Sequence, residues 1–363
     1  MKKVRSFGIG LLVLLWVALT GFAWFGPKKD ISDAERRPLA QMPEFSAEVL
    51  LDGEWMTKFE KYTLDQFPLR DRFRSLKAVF HYGALRQKDN NGIYLKDGSA
   101  AQLQYPLNEK SVNHALGVFR RICDNYLEDS KIYFTVAPDK SYYLAGEEYP
   151  AMDYEALFRK IRTVLPDTSY VNLTDLLTAQ DYYRTDTHWR QEKLLPAAQR
   201  LCEAMGSVLP QAADYTAVAA PRPFYGVYYG QAALPMEPET LYTMESSLLE
   251  SCRVYNYETD RYGTVYDRQK LEGKDLYEVF LSGAISLLRI ENPQADTERE
   301  LIVFRDSFGS SMVPLLVQGY RTVTLVDVRY ISSAMLPKFL DFHGQDVLFL
   351  YSTLVLNNSF MLK

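Results

Sequence analysis

Two hydrophobic rhythms follow one another along this chain. From about residue 111 onward, unbroken apolar runs alternate with stretches whose apolar residues recur every three or four positions. Residues 132–137, 301–304, 322–326 and 347–351 are runs of the first kind and predict strands, with 170–173 a shorter one. The run Leu301-Ile302-Val303-Phe304 has no polar alternation, as expected of a strand covered on both faces. Residues 112–127, 154–165, 309–318, 331–342 and a stretch running towards Gly206 carry the second rhythm and predict helices. Pro196 should fall in the first turns of that last helix or kink it. Strand, helix, strand at such spacing requires parallel pairing through right-handed crossovers. The pattern is that of an α/β domain over 111–363, whose ligands are expected beyond the carboxyl ends of the strands.

Two stretches depart from this rhythm. Residues 207–270 are rich in Tyr, Gly and Pro, with strand-like segments at 227–229, 253–255 and 264–266, and predict a β-rich insertion walling or covering a site. Before residue 111, residues 28–110 read as a stalk and extension. Its first half is punctuated by Pro38 and Pro43, and the charged run 30–37 offers little to bury. A helix over 70–85 and a strand at 93–95 ending in the turn 96–98 are expected there.

The first 27 residues form their own segment. An uncharged apolar run from Phe7 to Phe25 follows Lys2, Lys3 and Arg5. As a helix it would be about 28 Å long, close to the thickness of a bilayer core. The leading basic residues favour a cytoplasmic N-terminus and an exported remainder. Gly21-Phe22-Ala23 also suits signal cleavage. The chain is thus expected at the cell membrane as a single-pass protein, or secreted if cleaved; both readings export the domain.

Composition narrows the function classes. The net charge of −5 and the lack of a long basic run argue against nucleic acid. Three cysteines in 363 residues make no disulfide framework. No His or Cys spacing suits a metal, so neither metal nor cofactor is expected. Tyrosine, at 26 residues, suits either stacking on sugar rings or half-buried strands.

The chemistry concentrates in two short segments. In Thr185-Asp186-Thr187-His188-Trp189, side chains two apart point the same way only if the backbone is extended. Asp186 can then reach a ring nitrogen of His188, which places the pair in a loop or strand end. In Arg305-Asp306-Ser307-Phe308-Gly309 the serine lies between a strand and a helix, where it is either a nucleophile or a helix cap. Asp186, His188 and Ser307 are the three parts of a serine acyl-transfer site. Around them Tyr228 and Tyr229 could stack on sugar, and Arg305 and Lys140 could meet substrate charge. Packing and ion pairing are the competing roles.

These residues also carry a resemblance. Asp186-Thr187-His188-Trp189 resembles the signature of the DHHW proteins and the related periplasmic alginate O-acetyltransferase proteins, which have SGNH-hydrolase-like domains. Glu35-Arg36-Arg37-Pro38-Leu39, Asp65-Gln66-Phe67-Pro68-Leu69-Arg70-Asp71, Asn90-Asn91-Gly92-Ile93-Tyr94, Ala137-Pro138-Asp139-Lys140, Phe224-Tyr225-Gly226 and Asp346-Val347-Leu348-Phe349-Leu350-Tyr351 are similar to the family in order. The resemblance implies a three-layer SGNH-like fold with a mainly parallel sheet and a catalytic Asp186, His188 and Ser307. It further implies O-acetyl transfer to, or removal from, a cell-surface polysaccharide, with a membrane-bound O-acyltransferase as partner. Ala284 stands where the pattern runs Gly-Gly-Asn, so the backbone N–H groups of Gly283 and Ser307 are the expected oxyanion donors. The competing reading is a non-catalytic glycan-binding or scaffold protein on a degenerate hydrolase fold.

Overall fold

A computed structural model of the chain describes residues 2–32, 34–45 and 53–363. They divide into two units, one of residues 1–91 with 229–236 and one of 92–228 with 237–363.

The N-terminal unit opens with helix α1 (Lys2–Phe25), whose stretch Ser6–Phe25 has a mean hydropathy of 2.1 and none of it is buried. By length and composition it can cross a membrane. Helices α2 (Glu54–Asp65) and α3 (Arg70–Gly83) follow, the second two residues shorter than expected. The charged run before them does have partners. Asp65 accepts hydrogen bonds from both terminal nitrogens of Arg37 (2.8 and 2.7 Å) and from the Ala40 N–H (2.9 Å). Glu35 pairs with Arg70 at 2.6 Å and Arg74 at 3.1 Å. The bond from Arg37, more than any other influence, holds the Asp65 carboxyl down at about 2. Residues 33 and 46–52 of the expected stalk lie outside the described residues.

The larger unit is α/β. Its helices α4 (Glu109–Tyr126) and α5 (Tyr154–Val164) are capped by Asn108 and Asp153, each accepting an N–H of the first turn. Strand β1 (Lys131–Ala137) lies between them, and β2 (Ser169–Tyr170) precedes α6 (Leu195–Ala204), with Pro196 in its first turn. Next come β3 (Arg253–Asn256), β4 (Arg261–Gly263), β5 (Leu287–Glu291), β6 (Glu300–Arg305), α7 (Ser307–Met312), β7 (Thr322–Val326) and β8 (Asp346–Ser352). One eight-stranded sheet runs β4-β3-β5-β7-β6-β8-β1-β2. From β7 to β2 all pairs are parallel, while β4, β3 and β5 add an antiparallel edge. The expected α/β class and mainly parallel sheet hold.

Helices cover both faces. Leu301 and Val303 of β6 pack with α6 and the 3₁₀ turn Val313–Gly319, while Ile302 and Phe304 pack with α4 and α5. This is why the strand reads as an unbroken apolar run.

Several expectations need correction. Residues 227–229 are not a strand but open the short helix Val227–Ala232, and 264–266 contribute only a bridge from Tyr266 to Phe280. Residues 253–255 do form a strand, but within the central sheet. Among the described residues, 207–252 hold just one strand pair, Thr216–Ala219 with Tyr242–Glu245. The helix over 309–318 turns 3₁₀ at Val313, where Pro314 offers no N–H to an α-turn, and 331–342 is reduced to the 3₁₀ segment Ser333–Lys338 around Pro337. Cys123, Cys202 and Cys252 are free thiols, each pushed up to about 12 by burial.

Candidate active site

Asp186 and His188 sit in a closed loop, not in a helix. Tyr182 and Trp189 bridge in antiparallel fashion across it, and the Tyr183 N–H donates to the His188 carbonyl at 3.0 Å. The turn between them folds the carboxylate back onto its own segment. Asp186 Oδ1 accepts the His188 N–H at 3.0 Å and lies 2.6 Å from ring Nδ1. The Val227 N–H donates to Asp186 Oδ2 at 2.7 Å, so both oxygens are fixed. Asp186 is buried, while the His188 side chain keeps 13% of its surface exposed, enough to meet a substrate.

The serine comes from the carboxyl end of β6. Asp306, not Ser307, caps α7: its Oδ1 accepts the Phe308 N–H at 2.9 Å. Its Oδ2 accepts the N–H and Oγ of Ser352 at 2.7 and 2.6 Å, tying the turn to β8. Ser307 therefore opens the helix with its hydroxyl free of capping duty. His188 Nε2 lies 2.8 Å from Ser307 Oγ. No described residue accepts a hydrogen bond from the Ser307 N–H.

Further groups lock the two segments together. The Trp189 indole N–H donates to Ser311 Oγ at 2.8 Å and to the Phe308 carbonyl at 3.2 Å, so the motif tryptophan latches its loop onto α7. Tyr277 stacks on the imidazole, with ring centroids 3.9 Å apart and planes 10° apart, and its hydroxyl lies 2.8 Å from Ser311 Oγ. Burial raises the Tyr277 pKa well above its ordinary value, so the phenol stays neutral. Gly226 passes so close that a Cβ there would lie 2.2 Å from Asp186 Cβ. Phe224-Tyr225-Gly226 was the sequence signal for this residue, but nothing in the sequence assigns it that role. Tyr277 had no signal at all.

The other residues expected at the site lie elsewhere or have other duties. Lys140 is buried, and Nζ donates to the carbonyls of Ala100 (2.6 Å), Tyr183 (2.6 Å) and Arg184 (3.3 Å). It braces the loop that carries Asp186 and His188. Burial pushes its pKa down to about 7 against the pull of Asp186 and Glu239. Arg305 is fully buried, bonded to Ser310 Oγ at 3.2 Å and 3.8 Å from Asp327, so it meets no substrate. Tyr228 is only 3% exposed, with its hydroxyl donating to Thr187 Oγ1 at 3.1 Å, so its ring is not open to a sugar. Tyr229 is half-buried and belongs to the N-terminal unit.

Gly283 lies in a strained turn: Leu281, Ser282 and Gly283 all have positive φ (55°, 60° and 86°). Its N–H donates to the Phe280 carbonyl at 3.2 Å and so is engaged within that turn. The turn borders a groove of about 1070 Å³ lined by Ser282, Tyr262, Tyr266, Asp267 and Arg268 among others. Among the described residues no group of three His, Cys, Asp or Glu could hold a metal ion.

Comparison with known proteins agrees with the motifs. The family model described as DHHW protein matches residues 170–326, a span containing Asp186, His188 and Ser307. The crystal structure of a DHHW family protein from Eubacterium siraeum is similar with a TM-score of 0.60 at 21% identity, over 74% of this chain and 93% of that one. Bacillus cereus PatB1, solved with a sulfonyl adduct, is similar with a TM-score of 0.55 at 19% identity, over 73% and 95%. The O-acetyltransferase domain of Pseudomonas putida AlgJ gives a TM-score of 0.45 at 17% identity, over 73% and 92%. At such identities the first two likenesses speak for the fold. No curated protein matches the sequence.

Proposed function

We propose that this chain is an extracytoplasmic, SGNH-like acyl-transfer enzyme that moves O-acetyl groups onto, or off, a cell-surface polysaccharide. The observation that carries the reading is one unbroken run of contacts: 2.6 Å from Asp186 to His188 Nδ1 and 2.8 Å from His188 Nε2 to Ser307 Oγ. In that geometry Ser307 attacks the acetyl carbonyl while His188 Nε2 takes its proton. Asp186 holds the other ring nitrogen protonated and stabilises the imidazolium. The oxyanion of the tetrahedral intermediate is within the natural reach of the Ser307 N–H. When the intermediate collapses, His188 returns the proton to the leaving oxygen and an acetyl-serine remains. A sugar hydroxyl, deprotonated by His188, then attacks this ester and frees Ser307. Water in its place makes the same residues an esterase. The groove beside Ser282 is the proposed seat of the glycan. A membrane-bound O-acyltransferase, implied by the sequence resemblance, is the proposed source of the acetyl group.

A chromogenic acetyl ester tests this. Turnover by the intact protein should vanish in Ser307→Ala, and a sulfonyl fluoride should modify Ser307 in the intact protein only. Acetylated oligosaccharide, sought by mass spectrometry with a donor present, separates transferase from esterase. One observation favours a second reading, a glycan-binding protein without catalysis: the Gly283 N–H is engaged and Ala284 carries no side-chain donor. That reading requires equal turnover before and after Ser307→Ala.

A further inference from the structure

Helix α3 is turned inside out. At 100° per residue, Leu69 just before it and Phe73, Leu76 and Phe80 within it fall in a sector of about 60°. This stripe faces outward: Leu69 is 61%, Phe73 44%, Leu76 65% and Phe80 54% exposed. On the opposite side Ala78 is fully buried, and Arg74 holds the helix to its own unit. Arg74 reaches Glu35 at 3.1 Å and the Gly230 carbonyl at 2.9 Å. Arg72 and Lys77 flank the stripe, one on each side, and neither pairs with a described acidic residue.

The same unit says what covers such a face. The apolar span of α1 ends at Phe25, and the residues at its end are attached directly to α2. The Trp24 ring lies 6.2 Å from that of Phe59, and Lys28 Nζ lies 5.3 Å from the Tyr62 ring centroid. The Lys29 N–H donates to Gln66 Oε1 at 3.0 Å, and Gln66 Nε2 donates back to the Lys29 carbonyl at 2.8 Å. Gln66 begins the turn into α3. An α1 inserted in a bilayer thus brings the start of α3 to the water–lipid boundary. An apolar stripe between cationic edges is the form of a helix lying in that boundary.

We propose that α3 lies on the outer surface of the membrane that α1 spans, its Phe73–Leu76–Phe80 stripe in the headgroup region and Arg72 and Lys77 on anionic lipid headgroups. The proposal depends on the insertion of α1 and is independent of the acyl chemistry.

The test uses the full chain with Cys123→Ser, one copy per lipid nanodisc, and a nitroxide on Leu76→Cys or, as a comparison, on exposed Asp71→Cys. In discs containing phosphatidylglycerol, the label at 76 should collide with oxygen in preference to a water-soluble nickel chelate, and the label at 71 should do the reverse. Equal nickel access at both positions overturns the proposal. It would assign the stripe to another protein or a second copy, neither of which a single-copy disc contains. Arg72→Gln together with Lys77→Gln should lower the ratio of immersed to free α3 by about fivefold for each cation lost. Immersion that is the same on pure phosphatidylcholine overturns the role given to the two cations.

Discussion

The two units treat apolar helix faces in opposite ways. In the α/β unit, Lys140, Arg305, Asp306 and Asp327 are sealed inside, and α4 turns Val112, Leu116, Phe119 and Ile122 inward. In the N-terminal unit, α3 has a stripe of the same kind and turns it outward, while largely buried ion pairs of Glu35 and Asp65 with Arg37, Arg70 and Arg74 tie the segments together. A buried charge with fixed partners positions what it touches, because leaving it unpaired is costly. The contacts among Asp186, His188 and Ser307 lie in the unit that covers its apolar helix faces.

The largest effect that would sharpen this contrast is on catalysis. Ser307→Ala should cut acetyl-ester turnover by about 10⁴-fold or more without changing the circular dichroism spectrum, whereas Glu35→Gln should leave turnover within about twofold. A Ser307→Ala protein that keeps its turnover removes the chemistry from the α/β unit. Next in size, Phe119→Ala empties a site buried between α4 and the sheet. It should cost about 3–5 kcal/mol in denaturant unfolding.

Gly226→Ala drives a methyl into Asp186 and should cost about 1–3 kcal/mol. Its turnover should fall far more than that of an ordinary destabilised variant, because the displaced carboxylate no longer holds His188. Unchanged kinetics would show that the close approach does not position the pair.

A smaller effect separates the units by pH. The Asp65 carboxyl is held at about 2, below its ordinary 3.8, so between those values the unfolded chain binds more protons than the folded one. The stabilisation it supplies is complete above pH 3.8 and lost as pH falls through 2. Thermal unfolding of Asp65→Asn, compared with the natural chain over that range, should lack this acid limb. Smallest of all, Phe73→Ser on the outward stripe should change stability by no more than about 0.5 kcal/mol. A loss near that of Phe119→Ala would erase the contrast between the two helices.

Much of the site was legible in residues. Asp186 and His188 stand two apart, and that spacing serves a carboxylate–imidazole pair only in non-helical backbone, which is what the loop provides. The strand β6 announced itself as a run with no polar break, and Ser307 followed its end. The substrate contacts were not legible, because Arg305, Lys140 and Tyr228 look the same in a sequence whether they face a cleft or hold carbonyls and hydroxyls in the interior. Gly226 and Tyr277 reach Asp186 and His188 from distant parts of the chain, so no local pattern could connect them to it.

Local chemistry along the chain was enough for the strands β1, β6, β7 and β8, the helices α4 and α5, the apolar first helix and the non-helical setting of Asp186 and His188. These follow from periodicity, run length and side-chain type, which act over a few residues. Which charges were sealed, which helix face was covered and which glycine touched Asp186 were decided only when distant segments packed. Burial and close approach are properties of pairs that the covalent chain does not bring together.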